Sequence, residues 1–185
     1  MRKKGFTLIE MIVVVAIVGL VVPAIFAIIF GIIREQTKIN RLVTVKGEGD
    51  YILNIVANTI RNNAFSIHSA TPPSDSNLVC NDTGTSDPGP LYFQDQHGEW
   101  FGFIINGETV SSESSALVES AMLNSQQTII TNFSLGCSRV NTFSAPVISI
   151  EFDICFMTDA GLCSSTRVEE TAELHYQTKI KLRNF

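Results

Sequence analysis

None of the patterns that catalysis or metal binding requires occurs in this chain of 185 residues. His68, His97 and His175 stand alone, with no HExxH, no GxSxG, no phosphate-cradling glycine loop and no CxxC pair. Isolated histidines of this kind read as surface or strand residues, so no enzyme and no cofactor is expected. Cys80, Cys137, Cys155 and Cys163 lack zinc-knuckle spacing. Asp75, Asp82 and Asp87 could hold Ca²⁺ but lack the rhythm of an EF-hand, which favours a solvated loop. A net charge of −5 argues against a nucleic-acid surface, although local basic patches remain open. There is no internal repeat and no low-complexity run beyond SSESSA. Asn81-Asp82-Thr83 and Asn132-Phe133-Ser134 fit the N-x-S/T pattern, a very weak signal.

What the chain has in excess is apolar sequence at one end. Arg2, Lys3 and Lys4 form a basic cluster, and Phe6 to Ile33 is apolar except for Thr7, Glu10, Gly19, Pro23 and Gly31. Crossing a bilayer takes about 20 apolar residues, so this run suffices. It exceeds the roughly 7–15 residues of a secretory signal core, and no small-x-small cut site follows it, so it is expected to stay as an anchor. The basic cluster should remain cytoplasmic and the rest be exported, with Arg34, Lys38 and Arg41 weakening that inference from the other flank. Four cysteines, an even number, also suit an oxidising compartment. Glu10 is the anomaly. An ionised side chain at the centre of a membrane helix costs about 2.5–3.5 kcal/mol even on the lenient scale, and a plain tether has no use for it.

Residues 6 to about 63 read as one helix, on the order of 85 Å long. Beyond the anchor, Leu42, Val45, Leu53, Val56, Ile60 and Ala64 recur on one side, with Arg34, Asn40, Asn54, Asn58 and Asn62 around the rest. Such a helix buries its far half against a head and leaves its near half bare. Pro23 cannot donate to the carbonyl of Gly19, and Gly47 and Gly49 each cost about 1 kcal/mol against alanine, so both pairs are weak points. SIHSATPPSDSN and NDTGTSDPGP read as loops. LYFQDQHGEWFGFII predicts two strands around His97-Gly98, and TIITNFSL a third with Ile129, Phe133 and Leu135 inward. SALVESAML reads equally as helix or strand. In VISIEFDICF, Ile148, Ile150, Phe152, Ile154 and Phe156 share one face. In ELHYQTKIKLR, Leu174, Tyr176, Ile180 and Leu182 do the same. One-sided strands predict an antiparallel sheet covered by the amphipathic half of the helix. The fold class is therefore α+β, with residues 34–65 as the covering half-helix and 66–185 as a β-rich head. Trp100, Phe101 and Phe103 are expected in the core rather than in an exposed adhesive patch.

RKKGFTLIE followed by the apolar run resembles the class III signal of type IV prepilins and type II secretion pseudopilins over roughly the first 30 residues. The resemblance implies a pilin-like fold and a leader, residues 1–5, removed by a prepilin peptidase after Gly5. It further implies N-methylation of Phe6 and a helix, 6–33, that serves as membrane anchor and then as part of a filament core. It also implies partners: other subunits, an inner-membrane assembly platform and lipid. The new amine on Phe6 must be compensated in a low-dielectric bundle. Glu10 of an adjoining subunit can do so and set the axial register; pairing with its own amine is the alternative. Gly19 and Pro23 match a region resembling the locally melted helix of assembled pili, a simple kink being the other reading. The order of helix, loop, meander and closing strand, with LNIVANTIRNNA, is similar to minor pilins. A head of about 120 residues is large for a principal subunit. The alternatives are a major pilin or a membrane-tethered binding or adhesion protein.

Four cysteines allow three connectivities. Cys155 and Cys163 flank the turn MTDAGL, so a hairpin can bring them into disulfide range on the polar face of the strand. Cys80 then pairs with Cys137, tying the loop after the helix to the third strand.

Overall fold

The computed structural model describes residues 7–183 except Asp82, Val118, Asp159, Thr166, Val168 and Glu169. One helix, α1 (Leu8–Asn63), precedes nine strands: β1 (Ser66–His68), β2 (Gly84–Gly89), β3 (Tyr92–Gln94), β4 (Trp100–Asn106), β5 (Thr109–Ser114), β6 (Ala121–Met122), β7 (Thr128–Arg139), β8 (Val147–Phe156) and β9 (Glu173–Lys181). They form two antiparallel sheets, ordered β1-β3-β4-β5-β6 and β2-β7-β8-β9. The architecture is α+β, a long helix laid on an antiparallel head, and the sheet anticipated from the sequence is divided in two.

The helix lies on β8 and β9. Its buried seam is Val45, Gly49, Ile52, Val56 and Ile60, continued by Ala64 just past the end. These positions, three or four apart, form one stripe of a 3.6-residue helix. Leu42 and Leu53, expected in the seam, lie at its margins, while Gly49 and Ile52 occupy it. Arg34, Asn40, Asn54, Asn58 and Asn62 all face outward. Beneath the seam, Ile148, Ile150, Phe152 and Ile154 of β8 are fully buried, alternating with polar residues, and Phe156 is half-buried.

Gly49, costly to the helix by propensity, is also a close approach. A Cβ there would lie 2.4 Å from Cε2 of Tyr176, so only glycine lets the ring lie against the helix. The Tyr176 ring stacks on Phe152 at 5.0 Å, and its hydroxyl reaches the Lys46 carbonyl oxygen at 3.1 Å and Asp50 Oδ1 at 3.0 Å. Nothing approaches Gly47 within 4 Å.

Three expectations change with tertiary pairing. GTSDPG, read as loop, is the edge strand β2, held by backbone pairing to β7; an edge is where a strand tolerates proline. In β7 a bulge lies between Thr131 and Ser134, with Asn132 at φ +55°, so two residues oppose one and the alternation resets. Ile130, Leu135 and Cys137 therefore join the main core, and Ile129 is buried on the other face. SALVESAML contributes only β6, two residues long, and Val118 lies outside the described residues.

Cys80 is joined to Cys137, with Cα atoms 6.2 Å apart, and Cys155 to Cys163, with Cα atoms 5.5 Å apart. Cys155 is 1% exposed, yet it lies outside the main hydrophobic cluster, on the strand face expected from the sequence.

Candidate functional site

The residues that carry chemistry in the first turn of α1 are Thr7 and Glu10. Thr7 is the N-cap, in extended conformation, and its hydroxyl accepts a hydrogen bond from the Glu10 amide at 3.4 Å. Reciprocally, Glu10 Oε2 accepts from the Thr7 amide at 2.8 Å and from the Thr7 hydroxyl at 2.9 Å. This is a capping box, satisfying donors that the first turn of a helix leaves without intrahelical partners. The T-x-x-E spacing was legible in the sequence and points to this role for Thr7, which the sequence reasoning missed. Both donors converge on one oxygen. Among the described residues Oε1 meets no donor, so the carboxylate can cap its own helix and still offer an oxygen outward.

Around it the helix is bare. Every residue from Thr7 to Gln36 is exposed, and after Glu10 no charged side chain occurs before Arg34. The most apolar 18-residue window has a mean hydropathy of 3.2 with none of its area buried, making this the one described helix long and apolar enough to cross a membrane. The helix runs through Gly19 and Pro23 without interruption. Gly5 and Phe6 lie outside the described residues.

The far half is held by polar clasps as well as by the apolar seam. Glu48 accepts hydrogen bonds from the Ser125 amide at 3.1 Å, the Ser125 hydroxyl at 2.5 Å and the Thr128 hydroxyl. The Arg41 guanidinium lies over the Phe156 ring, 5.1 Å from its centroid. Asp50 is held below the usual carboxylate range, first by its bond from Lys46 and then by that from Tyr176. Burial, followed by the neighbouring Asp50, pushes the Tyr176 hydroxyl up to about 12.

The remaining candidates fall into structural places. His68 is buried, its Nδ1 2.8 Å from Asn77 Oδ1 and its Nε2 2.8 Å from Ser66 Oγ. His175 sits on the outer face of β9, with Nδ1 2.7 Å from Asp153 Oδ1. Asp153 is held low first by the Asn132 amide and then by His175. His97 lies in the β3–β4 turn, where its amide donates to Asp95 Oδ1 at 2.8 Å. Among the described residues no three His, Cys, Asp or Glu side chains are grouped for a metal ion. Asp75 begins a 3₁₀ turn, Asp82 lies outside the described residues, and so does the side chain of Asp87. Phe103 is buried, and Phe101 stacks on Phe93 at 5.5 Å. Trp100 meets Tyr92 edge-on at 6.1 Å on the outer face.

No curated protein and no solved structure matches the chain. Residues 1–22 match the prokaryotic N-terminal methylation motif. That motif is the kind found in pilin-type prepilins, and it covers the amino-terminal segment alone. With the long apolar helix it fits a membrane-anchored subunit processed by a prepilin peptidase. The amino-terminal segment thus carries a type IV pilin-like prepilin signal, with Glu10 standing on a bare helix as its only acidic group.

Proposed function

We propose that the chain is a structural subunit of a type IV pilus or type II secretion pseudopilus, and within that class a minor pilin. Residues 1–5 form a leader cut after Gly5, and Phe6 becomes the methylated amino terminus. Residues 6–33 anchor the subunit in the membrane before assembly and pack among other subunits afterwards. Residues 34–65 carry the head, 66–185. The observation that carries this reading is the methylation motif at residues 1–22 on a helix whose first half has no partner in its own chain. Apolar surface on this scale, left bare on a single chain, calls for lipid or neighbouring helices.

Glu10 is the assembly residue in this reading. Its Oε2 stays on Thr7, while Oε1 accepts the Phe6 amine of an adjoining subunit. A pair buried among apolar helices is costly to break, because either partner alone leaves an uncompensated charge, and it therefore selects one axial register. Gly19 and Pro23 mark where the helix gives way when neighbours crowd it, since the Gly19 carbonyl has no amide donor at position 23. The two-sheet head of about 120 residues is what favours a minor over a principal subunit.

Amino-terminal mass spectrometry of surface material tests the processing step. The expected peptide begins at N-methylated Phe6, and Gly5→Leu should hold the full precursor in the membrane. Met1 on surface-exposed protein would overturn the reading.

A further inference from the structure

Three cations, Arg34, Lys38 and Arg41, follow directly on the apolar run, and neither the methylation motif nor the assembly residue Glu10 makes use of them. On the head's side of the span they work against the positive-inside preference that Arg2, Lys3 and Lys4 set up. Their positions place them within about 60° of one another around a 3.6-residue helix. The same side, farther along, becomes the buried seam of Val45, Gly49, Ile52 and Val56, so the stripe leads up to the place where the head begins to cover α1. Glu35 lies about a quarter-turn away. Among the described residues no ion pair joins it or any other carboxylate to the three cations.

One of the three is fixed in place. The Arg41 guanidinium lies over the Phe156 ring, 5.1 Å from its centroid. Its Nη1 is buried and has no hydrogen-bond partner among the described residues. A buried donor left without an acceptor is costly, and more so on a charged group. Glu170 is close enough to feel Arg41, which is the last of the causes that hold this carboxyl low, after Ser165 and Arg167. Both its oxygens are engaged elsewhere: Oε2 accepts from the Ser165 hydroxyl at 2.5 Å, and Oε1 pairs with Arg167 Nη1 at 3.2 Å. The Arg41 side chain as a whole is only partly buried, so an anion can still approach the guanidinium.

The stripe also lies at the depth where phosphate is found. Arg34 follows Ile33, the last residue of the apolar run. From Arg34 to Arg41 the helix rises about 10 Å, against about 5–8 Å of headgroup on each side of a bilayer core. Leu8 to Ile33 runs about 39 Å as helix, longer than the core of about 30 Å, so tilt brings the basic clusters at both ends to headgroup level. A guanidinium already held on a ring presents its fork of donors to phosphate with little further loss of freedom.

We propose that Arg34, Lys38 and Arg41 bind the phosphate of an anionic phospholipid in the leaflet on the head's side, with Arg41 as the fixed seat. This rests on the membrane-anchor reading above and adds a ligand class to it. The span delivers the stripe to headgroup level, where a zwitterionic lipid brings its own cation and an anionic one does not. Each cation near an anionic surface strengthens binding about fivefold. Occupied, the stripe fixes the depth and tilt of the helix and holds the head against the membrane until the subunit leaves the bilayer.

The test is native mass spectrometry of the full chain, released from micelles holding equal amounts of phosphatidylglycerol and phosphatidylcholine. The expected result is severalfold greater retention of phosphatidylglycerol. Arg34→Gln, Lys38→Gln and Arg41→Gln together should abolish the preference. Arg41→Lys should weaken it although the charge remains, because an ammonium lacks the fork. Replacing Arg2, Lys3 and Lys4 by glutamine should leave it in place. Equal retention of the two lipids, or a preference lost only with the residues 2–4 variant, would overturn the proposal. So would its displacement by millimolar inorganic phosphate, which would assign the stripe to a free anion, and a wild-type preference in Arg41→Lys would remove the seat. The two disulfides, mapped on each variant, report an intact head. Membrane fractionation reads the anchor separately: a chain that sediments with membranes yet retains both lipids alike sinks this inference alone.

Discussion

Leu8 to Gln36 and Thr37 to Asn63 belong to one helix with one hydrogen-bonded ladder, yet they obey different rules. In the second half, apolar residues recur at three- and four-residue steps and a sheet covers them, while asparagines face outward. In the first half the apolar residues go all the way round, and nothing in the chain covers any of them. A helix apolar on every side is built for burial everywhere. Its solvent must therefore be lipid or other helices, and the one carboxylate before Arg34, Glu10, is placed at its end with its own cap. The comparison teaches that the two halves have separable duties, so a substitution in one should leave the other's duty intact.

The largest expected effect breaks the bare half alone. Glu10→Val should leave cleavage and membrane insertion unchanged, since it raises apolarity, and should remove the chain from sheared filaments almost completely. Recovery with filaments at the wild-type level would show that Glu10 does not set the register. Next is the staple of the head. Replacing Cys80 and Cys137 together by serine opens a loop with a sequence separation of 57. The chain-entropy relation values that at about 4 kcal/mol, against about 2.5 kcal/mol for the shorter Cys155–Cys163 loop. Denaturation of the detergent-solubilised chain should rank the two pairs in that order, and non-reducing peptide mapping checks the connectivity itself.

The glycines of the covered half sharpen the comparison within a single turn. Gly49→Val drives a side chain into the Tyr176 ring, which Phe152 and the hydrogen bonds to the helix hold in place; a loss of about 1–3 kcal/mol is expected. Gly47→Ala meets nothing and should stabilise by up to about 1 kcal/mol through helix propensity alone. Equal effects from the two would mean that Tyr176 does not pack against α1.

The smallest effect is read against pH. Tyr176→Phe removes one hydrogen bond, worth about 1 kcal/mol at neutral pH. The Tyr176 hydroxyl is raised from 10.0 to about 12, so the folded state keeps its proton longer than the unfolded chain. The stability this gives is complete below pH 10 and is lost as pH climbs toward about 12. Asp50 is depressed from 3.8, so its contribution is present above that pH and lost as pH falls through the lowered value. Unfolding curves from pH 2 to 12 should show both limbs in the wild type. In Tyr176→Phe the alkaline limb should flatten, whereas the acid limb should persist in part, because Lys46 still holds Asp50 at 3.0 Å.

Much of the fold was legible because it rests on local periodicity. VISIEFDICF alternates over ten residues and appears as β8 over the same span, and the helix ends at Asn63, where the apolar repeat gives way to loop composition. Glu10 stood out because a charge in apolar sequence is costly wherever the chain goes. What escaped the sequence depends on partners distant in the chain. GTSDPG has no strand character of its own and becomes β2 only because β7 offers an edge. The bulge at Asn132 moves Ile130 into the main core by setting two residues against Phe152, which no reading of TIITNFSL alone reveals.

The sequence by itself determined the signal at residues 1–22, the length of the helix and the division into an apolar anchor and an amphipathic half, because each follows from residue type and spacing along one segment. Only the tertiary structure decided that Gly49 is a seat for Tyr176 and that Glu48 clasps Ser125 and Thr128. Those outcomes depend on which surfaces meet across intervals of about 80 to 130 residues, as with Glu48 to Thr128 and Lys46 to Tyr176. Contacts of that range leave no period in the chain, since their geometry is set by how sheets and helix pack together.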